Sequence, residues 1–364
     1  MKAAVLRAVG EPAAIEDLAL RPVGAGDARV RLAASGVCHT DLSLRDGGIP
    51  TLLPCTLGHE GAGVVEEVGA AVTTVQPGDP VVLSWNVPCR SCYYCLRGQS
   101  QLCPRGLEHA YAAPYAEAAG SGVWPALGAG TLAEQTVLPA AAVVPVDPAL
   151  PLDLAALLGC GVATGVGAAV RTAAIRAGET VLVLGCGGVG LATLQGARLA
   201  GASRIIAADR VAGQLAAAVR SGATDTVDTS GVDLGEAVRE LTGGIGVDQA
   251  LEVVGKPETI VAAYAAARRG GKVTLVGAGR ADASVSLPVL SLMADAKTIA
   301  GSVYGATDPV RDIPVLADLA LRGQLDLDAL VTRRIALDQV EDAFAAMAAG
   351  DGARSLVVFA PAGR

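Results

Sequence analysis

The chain has 364 residues and a formal net charge of −8, with 52% hydrophobic and only 18% charged residues. This composition excludes a disordered chain, and the length exceeds the size at which a single hydrophobic core stops growing, so we expect two domains. The negative charge, without any long run of Lys or Arg, argues against a nucleic acid partner because such a surface repels phosphate backbones.

The N-terminal segment does not have the uninterrupted apolar core of a signal peptide, because Glu11, Glu16 and Asp17 interrupt it. The sequence also contains no uncharged apolar stretch that supports a membrane span. We therefore expect a cytoplasmic protein with no membrane partner. Disulfides rarely persist in that compartment, so the eight cysteines are expected to be reduced thiols that serve metal binding or catalysis.

Two patterns of predicted elements follow one another along the chain. From Met1 to about Val146, short apolar runs separated by Gly, Pro and Asp predict the strands of a barrel or sandwich. Within this part, residues 116–122 (AEAAGSG) are predicted to form a flexible surface loop. From about Leu152, alternating helices and strands predict a parallel, doubly wound sheet with right-handed crossovers. The last predicted elements, which should pack on the first domain, are helices near 310–321 and 337–349 and a strand at 355–359.

A glycine-rich turn lies between a predicted buried strand and a helix, with Gly185, Gly187 and Gly190 in a G-x-G-x-x-G pattern. Such a turn lets the backbone approach a pyrophosphate at a helix N-terminus. Asp209 closes the next strand, where a carboxylate would bind ribose hydroxyls and favour NAD over NADP. Arg210, the next residue, favours NADP instead, because a guanidinium can bind the 2′-phosphate. A tight strand–helix turn with no coenzyme is the alternative interpretation.

Four cysteines with the spacing C-x2-C-x2-C-x7-C predict a closed tetrahedral zinc site, which has no open position and is therefore structural. The four are Cys89, Cys92, Cys95 and Cys103. Surface thiols on a loop are the alternative. Cys55 and Cys186 have no partner in this scheme and are expected to be small apolar residues in a packed interior.

A second candidate metal set consists of Cys38, His59 and Cys160, which are far apart in the sequence. Spacing cannot establish this set. It is compatible with a three-ligand zinc site of two thiolates and one imidazole that keeps its fourth position open. Taken singly, His59 is more often an interior histidine, and Cys160 a residue that packs a helix.

With these residues identified, the chain resembles the zinc-dependent medium-chain alcohol dehydrogenases along nearly its whole length. The segments GVCHTD, LGHEGAGVVEEVG, the four-cysteine lobe, GCGVATGVGAA, LGCGGVG and GARSLVVF stand in the family's order and spacing. Within the family, the chain is most similar to bacterial members that include mycothiol-dependent formaldehyde dehydrogenases.

The resemblance implies an α/β fold, with a GroES-like β-barrel catalytic domain plus a Rossmann doubly wound parallel sheet and a cleft between them. The catalytic domain would span 1–161, with the structural zinc lobe at about 86–104, and would be completed by 304–364. The Rossmann NAD-binding domain would span 162–303.

The resemblance also implies roles for individual residues. Cys38, His59 and Cys160 would hold a catalytic zinc, with Glu60 as a nearby carboxylate and Asp41 orienting a ligand. Zinc would lower the pKa of an alcohol, Thr40 would take its proton, and hydride would pass to the nicotinamide. The further expected coenzyme contacts are His39, Gly188, Val189, Val276 and Arg354.

Two positions concern the substrate and its proton. Trp85 falls where relatives line the substrate pocket, although a half-buried packing tryptophan is an equal alternative. Ser43 stands where many relatives have a histidine that relays the proton, and serine cannot act as a base near neutral pH. We therefore expect the proton to leave through water; the alternative is a physiological reaction other than simple alcohol oxidation.

Together these observations predict a zinc-dependent oxidoreductase that transfers hydride between an alcohol/aldehyde pair and NAD(H), with two zinc ions per chain. We expect a homodimer or homotetramer and a small-molecule substrate. One alternative is a mycothiol- or glutathione-dependent dehydrogenase of a thiol–formaldehyde adduct, although the loop at 105–130 matches the mycothiol-dependent relatives poorly. The other alternative is a non-catalytic protein that binds NAD and zinc.

Overall fold

The computed structural model describes residues 1–350 and 354–360, and the chain divides into two compact units. Unit 1 comprises Met1–Gly161, Asp308–Ala349 and the described residues from Arg354 onward, whereas unit 2 comprises Val162–Thr307. The boundary falls at Thr307 rather than at residue 303. The Thr307 hydroxyl donates a hydrogen bond to the carbonyl of Ala163 at 3.2 Å, which holds this stretch in unit 2.

The elements are numbered along the chain. The strands are β1 (Lys2–Leu6), β2 (Ala14–Asp17), β3 (Ala19–Leu20), β4 (Asp27–Gly36), β5 (Cys55–Thr56), β6 (Glu60–Val68), β7 (Pro80–Leu83), β8 (Ala116–Ala118), β9 (Ser121–Pro125), β10 (Gln135–Pro139), β11 (Val143–Pro145), β12 (Thr180–Leu184), β13 (Arg204–Asp209), β14 (Asp225–Asp228), β15 (Val247–Glu252), β16 (Ala267–Leu275), β17 (Thr298–Gly301), β18 (Arg333–Ile335) and β19 (Ser355–Val358). The helices are α1 (His39–Arg45), α2 (Leu152–Ala155), α3 (Gly161–Gly167), α4 (Gly188–Leu199), α5 (Ala212–Arg220), α6 (Leu234–Leu241), α7 (Pro257–Ala266), α8 (Val289–Ala294), α9 (Pro309–Leu321) and α10 (Val340–Ala349).

Unit 1 is built on two sheets. One has the strand order β2-β1-β5-β9-β8-β3, and the other has the order β11-β7-β6-β4-β19-β18, with β10 also paired to β4. Strand β4 is the centre of the second sheet, because β6, β10 and β19 all pair with it in antiparallel fashion. Its last residue, Gly36, lies opposite Glu60 of β6 and Leu356 of β19. Three distant parts of the chain therefore meet at the C-terminal end of β4.

The interior of unit 1 is apolar. One cluster includes the fully buried side chains of Leu6, Leu44, Leu57, Leu132 and Phe344. Burying an aliphatic or aromatic side chain of this size contributes about 1.5–3 kcal/mol relative to leaving it exposed. Because Phe344 belongs to α10, this cluster fastens the C-terminal helix to the first strands of the chain.

Residues 116–122 form a β-hairpin, so the prediction of a flexible surface loop was wrong. β8 pairs with β9 in antiparallel fashion, and Ala118 lies opposite Ser121. The two residues between them, Ala119 and Gly120, have φ angles of 49° and 78°, the left-handed pair that a tight type I′ hairpin turn requires. The small residues that suggested a loop occupy buried strand positions at Ala116 and Ala118.

Unit 2 is a parallel sheet in the order β14-β13-β12-β15-β16-β17, with helices between successive strands. The strand order reverses between β12 and β15, which are neighbours in the sheet. In open α/β sheets, ligands bind at the carboxyl ends of the strands at such a switch point. The buried residues of β12, β13 and β15 include Leu182, Ile206 and Ala250, which share one core cluster.

The helical segment predicted from Leu152 onward is broken at Cys160. A 3-10 turn, Ala156–Gly159, follows α2, and Cys160 has φ −145° and ψ −69°, outside the helical range, before α3 begins. The break takes the Cys160 side chain out of a helical face. Among the described residues, no single helix is long and apolar enough to cross a membrane; only the pair Leu152–Gly159 and Gly161–Ala173, bent by 56°, reaches that length and composition together.

His109 is a histidine kept neutral by its surroundings. It lies in a short 3-10 helix, Glu108–Tyr111, and neither ring nitrogen has a hydrogen-bond partner in the described part of the chain. Burial lowers the pKa of His109 to about 4. The folded protein therefore disfavours the protonated imidazole.

We expect His109 to make unit 1 acid-sensitive. An unfolded histidine has a pKa of about 6.5, so the unfolded chain binds a proton between pH 6.5 and 4 that the folded chain does not, and stability falls as the pH falls through this window. The contribution lost by pH 4 is up to about 3 kcal/mol. In urea unfolding at several pH values, His109→Leu should lose less stability than the wild type between pH 6.5 and 4.5. Parallel curves would contradict this assignment.

Candidate functional site

Four side chains from three separate segments of unit 1 converge on one point. They belong to Cys38, His59, Glu60 and Cys160, and their candidate ligand atoms all lie within 4.8 Å of one another. Cys38 is the residue that precedes α1, His59 precedes β6, and Cys160 lies at the helix break. The β4–β6 pairing, with Gly36 opposite Glu60, brings the first two of these segments together.

The surroundings of His59 fit a metal ligand. Its Nδ1 lies 3.1 Å from Oδ1 of Asp41, whereas its Nε2 is buried and has no hydrogen-bond partner in the residues that the structure describes. Asp41 also accepts hydrogen bonds from the backbone N–H groups of Gly58 at 2.9 Å and Cys38 at 3.2 Å. A carboxylate on one ring nitrogen that leaves the other for the metal is the usual arrangement around a zinc-bound imidazole. The donor set therefore fits zinc.

The two thiols and the imidazole are strongly coupled electrostatically. A hydrogen bond from Cys160 lowers the pKa of Cys38 well below its usual value, despite burial, and the same contact together with burial raises the pKa of Cys160. Burial opposes protonation of His59, but the Asp41 carboxylate and Cys38 outweigh it and raise the pKa of His59. Without a metal these directions favour a thiolate at Cys38 beside protons on His59 and Cys160, and bound zinc would displace those protons because its ligands must be deprotonated.

Glu60 is tied to Arg354. The Arg354 Nη1 atom donates to both carboxylate oxygens of Glu60 at 2.7 Å, and both side chains are buried. Burial raises the pKa of Glu60 to about 7, against the opposing effect of the guanidinium. A side chain at Gly161 would overlap with the Arg354 guanidinium, so the residue after Cys160 must be small. Arg354 therefore balances the charge of the carboxylate closest to the metal set.

The four-cysteine lobe has the geometry of a closed zinc site. Cys89, Cys92, Cys95 and Cys103 place their sulfurs within 4.8 Å of one another, and the sulfurs of Cys92 and Cys103 are 3.8 Å apart. In a tetrahedron with Zn–S bonds of about 2.3 Å the sulfurs are about 3.8 Å apart. A backbone hydrogen bond from Ser91 lowers the pKa of Cys89 to about 6, which favours the thiolate that zinc requires.

An ion pair also joins the four-cysteine lobe to a helix that is far away in the sequence. The guanidinium of Arg90, between the first two cysteines, donates to both carboxylate oxygens of Asp308, one of them at 3.0 Å. Asp308 is the residue that precedes α9, and its pKa is lowered by Arg90 despite partial burial. The Arg90–Asp308 pair could not be predicted, because the spacing of the cysteines does not indicate where the Arg90 side chain points.

The glycine-rich turn of unit 2 has the shape that a dinucleotide needs. Gly185 has φ 96°, and Gly187 precedes α4 with open space where a side chain would be. A side chain at Gly190 would overlap with the carbonyl of Gly185, so helix and strand are close. Asp209 lies beside this turn: its Oδ2 accepts a hydrogen bond from the backbone N–H of Cys186 at 2.7 Å. The predicted glycines and Asp209 therefore share one region of unit 2.

The family profile "Alcohol dehydrogenase GroES-like domain" matches residues 24–148, and "Zinc-binding dehydrogenase" matches residues 188–322. The NDMA-dependent alcohol dehydrogenase of Amycolatopsis methanolica is 36% identical, with 98% of each chain covered. The chain belongs to the zinc-dependent medium-chain alcohol dehydrogenase family.

Two further relatives of this dehydrogenase are informative. The S-(hydroxymethyl)glutathione dehydrogenase of a Synechocystis strain is 34% identical over 98% of this chain and 99% of its own. The crystal structure of benzyl alcohol dehydrogenase from Acinetobacter calcoaceticus superimposes with a TM-score of 0.91 at 32% identity, covering 99% of both chains. The resemblance inferred from the sequence and the predicted combination of a GroES-like domain with a Rossmann sheet are confirmed. The dehydrogenase is a zinc enzyme that uses NAD(P).

The other predicted site residues lie in both units. In unit 1, His39 and Thr40 form the first turn of α1, Ser43 lies one turn later, and Trp85 is half-buried after β7. In unit 2, Gly188 and Val189 begin α4, Val276 follows β16, and the side chain of Arg210 is exposed. Cys55 and Cys186, which were expected in the interior, are both fully buried. The predicted functional roles of the other residues stay predictions; these residues are His39, Thr40, Ser43, Trp85, Gly188, Val189, Val276 and Arg210.

Proposed function

We propose that this zinc enzyme oxidises a small-molecule alcohol, or reduces the corresponding aldehyde, with NAD(H) as the hydride carrier. The observation that carries the proposal is the convergence of Cys38, His59 and Cys160, with the Nε2 atom of His59 lacking a hydrogen-bond partner among the described residues. Three such ligands leave the fourth zinc position to a substrate, in contrast to the closed lobe. The substrate class agrees with the alcohol dehydrogenases in the comparison.

Zinc in this set would supply the Lewis acidity that lowers the pKa of an alcohol, and the nicotinamide would accept the hydride. Asp41 holds the ring of His59 and the backbone of Cys38, so it fixes two ligands at once. Thr40, two residues after Cys38, would accept the hydroxyl proton. Because Ser43 cannot act as a base near neutral pH, we expect this proton to leave through water.

A substrate panel tests the proposal. Purified protein with two zinc ions per chain is assayed with NAD and with NADP on short-chain, terpenoid and aromatic primary alcohols, and in the reverse direction on their aldehydes. Turnover that disappears on removal of the catalytic zinc supports the proposal. Binding of NADH with two zinc ions but no turnover on any member would instead favour a non-catalytic NAD- and zinc-binding protein.

The similarity to an S-(hydroxymethyl)glutathione dehydrogenase supports a second candidate, the dehydrogenation of a thiol–formaldehyde adduct. The segment 105–130 is where the bulky thiol part of such a substrate, which a simple alcohol lacks, would be bound. In the panel, formaldehyde is supplied with and without glutathione or mycothiol. Oxidation that strictly requires the thiol would favour this candidate over simple alcohol oxidation.

Coenzyme preference is expected to depend on Asp209. In the wild type its carboxylate would accept the ribose hydroxyls and repel the 2′-phosphate of NADP, whereas the exposed Arg210 would attract that phosphate. We expect Asp209→Asn to raise KM for NAD by about tenfold and to lower the NAD/NADP ratio of kcat/KM by a larger factor. Arg210→Gln is the matched variant, and it should change the ratio in the opposite direction. Unchanged ratios in both variants would exclude this assignment.

An exposed apolar surface in unit 2 supports the expected homo-oligomer. Val289, Leu290 and Met293 of α8 are 71–81% exposed, and β17 is the last strand at its edge of the sheet. An open strand edge beside exposed apolar side chains is a template for pairing with the same edge of a second copy.

Leu290→Asp is therefore expected to shift the enzyme toward monomers. Burying a carboxylate in an apolar contact costs several kcal/mol, so sedimentation should show the smaller species at micromolar concentration. Ile245→Asp, at a 67% exposed position elsewhere in unit 2, is the control and should leave the mass unchanged. A wild-type monomer, or a Leu290→Asp enzyme with the wild-type mass, would exclude this surface as a subunit interface.

The expected cytoplasmic location stays a prediction.

A further inference from the structure

Glu252 is the last residue of β15 and lies at the point where the strand order of unit 2 reverses. It is opposite Leu184, the residue before the glycine-rich turn, in the β12–β15 pairing. Strand β15 begins the second half of the sheet, which in folds of this kind binds the second nucleoside of a dinucleotide. Glu252 is nevertheless fully buried and lies in no motif that the sequence analysis identified.

One carboxylate oxygen of Glu252 holds the turn that follows β15. Oε1 accepts hydrogen bonds from the backbone N–H groups of Val254 at 2.9 Å and Gly255 at 2.8 Å. The hydroxyl of Thr259, in the first turn of α7, lies 2.7 Å from the same oxygen. Hydrogen bonds to a charged acceptor contribute about 1.5–3 kcal/mol each, so this oxygen fixes the conformation of the turn.

The backbone of Glu252 holds a second turn. Its carbonyl accepts hydrogen bonds from Val276 at 2.8 Å and Gly277 at 3.1 Å, the residues that follow β16. A side chain at Gly277 would overlap with the backbone of Val254 and Gly255, so the two turns are in backbone contact. Val276 is one of the predicted coenzyme contacts.

The first of these turns also lies against the dinucleotide turn. A side chain at Gly185 would come within 2.6 Å of Val254 Cγ2 and 3.3 Å of the carbonyl carbon of Val253. A displacement of Val253 or Val254 would therefore change the space available at Gly185. Through these contacts Glu252 connects the turns after β12, β15 and β16, which together form the carboxyl end of the sheet.

The other carboxylate oxygen takes no part in these contacts. Oε2 is buried and has no hydrogen-bond partner among the described residues. A buried carboxylate oxygen without a partner costs free energy, which the hydrogen bonds to Oε1 offset.

We infer that Glu252 is a positioning residue for the coenzyme: its carboxylate holds the Val253–Gly255 turn, and thereby the Gly185 and Val276 turns, in the conformation that binds NAD(H). This inference rests on the proposed use of NAD(H). Glu252 is not a contact of the coenzyme itself, and its effect is exerted through the backbone that it fixes.

The test measures NADH binding by fluorescence titration of the zinc-loaded enzyme, together with thermal unfolding. Glu252→Ala removes the acceptor of two backbone N–H groups and is expected to raise the Kd of NADH by at least about tenfold. Glu252→Gln keeps an oxygen acceptor in the same place and should recover most of the affinity. Thr259→Val removes the hydroxyl that bonds Glu252 Oε1 and the backbone of Lys256, and it should raise Kd by about threefold. Glu258→Gln, an exposed neighbour, is the charge-matched control and should stay within about twofold.

Kinetics provide a second readout. KM for NAD should rise in the order wild type, Thr259→Val, Glu252→Ala, whereas KM for the alcohol and the content of two zinc ions should not change. A Glu252→Ala variant that unfolds at a lower temperature but binds NADH within twofold of the wild type would overturn the inference. If Glu252→Ala does not fold, an unchanged Kd in Thr259→Val would overturn it. A wild-type enzyme that fails to bind NADH would instead contradict the proposed function.

Discussion

Replacing Cys160 with alanine is expected to remove one of two zinc ions per chain and to lower kcat/KM for alcohol oxidation by at least about 10³-fold. Zinc lowers the pKa of a bound water from 15.7 to about 7, so an alcohol without this cation is almost never ionised at neutral pH. The binding of NADH should stay within about twofold of the wild type, because the glycine-rich turn and Asp209 belong to the other unit. Metal analysis, steady-state kinetics and NADH titration on the same preparation measure all three quantities.

Cys55→Ala is the matched control for this substitution. Cys55 is fully buried, burial raises the pKa of its thiol to about 11, and it belongs to neither metal set. We expect two zinc ions per chain and near wild-type turnover in this variant. A Cys160→Ala enzyme that retains both zinc ions and normal turnover would exclude Cys160 as a catalytic ligand.

Replacing Cys103 with alanine is expected to have its main effect on stability. The closed lobe gains its folding free energy from the metal, since apparent binding free energies of structural zinc reach about 10–16 kcal/mol in small zinc domains. In a larger unit, part of that stabilisation is retained by other contacts, so we expect a loss of several kcal/mol and a Tm lower by roughly 10 °C or more. The Arg90–Asp308 pair should weaken with the lobe.

The measurement is thermal unfolding with parallel metal analysis. The Cys103→Ala enzyme should contain one zinc ion, and its catalytic set should remain active well below its Tm. Wild-type enzyme treated with a thiol reagent that strips the lobe should show the same loss of stability. A Cys103→Ala variant with two zinc ions or with the wild-type Tm would show that these four thiols do not form a stabilising site.

Features that depend on local spacing were accessible from the sequence. The four cysteines of the lobe lie within 15 residues, and the glycine-rich turn sits between one strand and one helix, so short-range patterns predict both. The alternation of strands and helices likewise predicted the parallel sheet. The convergence of Cys38, His59 and Cys160 needed the family resemblance, because only the pairing of distant strands brings them together.

Other features could not be predicted, for identifiable physical reasons. The Glu60–Arg354 pair joins residues 294 positions apart, and no local pattern indicates it. The break at Cys160 lies inside an apolar segment with no proline, and its one local signal is the pair of flanking glycines, Gly159 and Gly161. The hairpin at 116–122 was missed because alanine and glycine are common in loops, and burial of alternate alanines is visible only in three dimensions. Glu252 lacks a motif altogether, since its partners are backbone groups and a single threonine hydroxyl.

The central position of β4 has a consequence for biosynthesis. Nearly all of unit 2 is the continuous stretch Val162–Thr307, which is free to acquire its structure while the ribosome is still extending the chain. Folding of unit 1 cannot be completed at that stage, because β19 pairs with β4 across more than 300 residues of intervening polypeptide. Arg354, the partner of Glu60, immediately precedes β19. Until that last strand emerges, the nascent chain exposes an open edge of β4 and an uncompensated Glu60. Completion of the pocket around Glu60 therefore requires the translation of β19, more than 300 residues after β4.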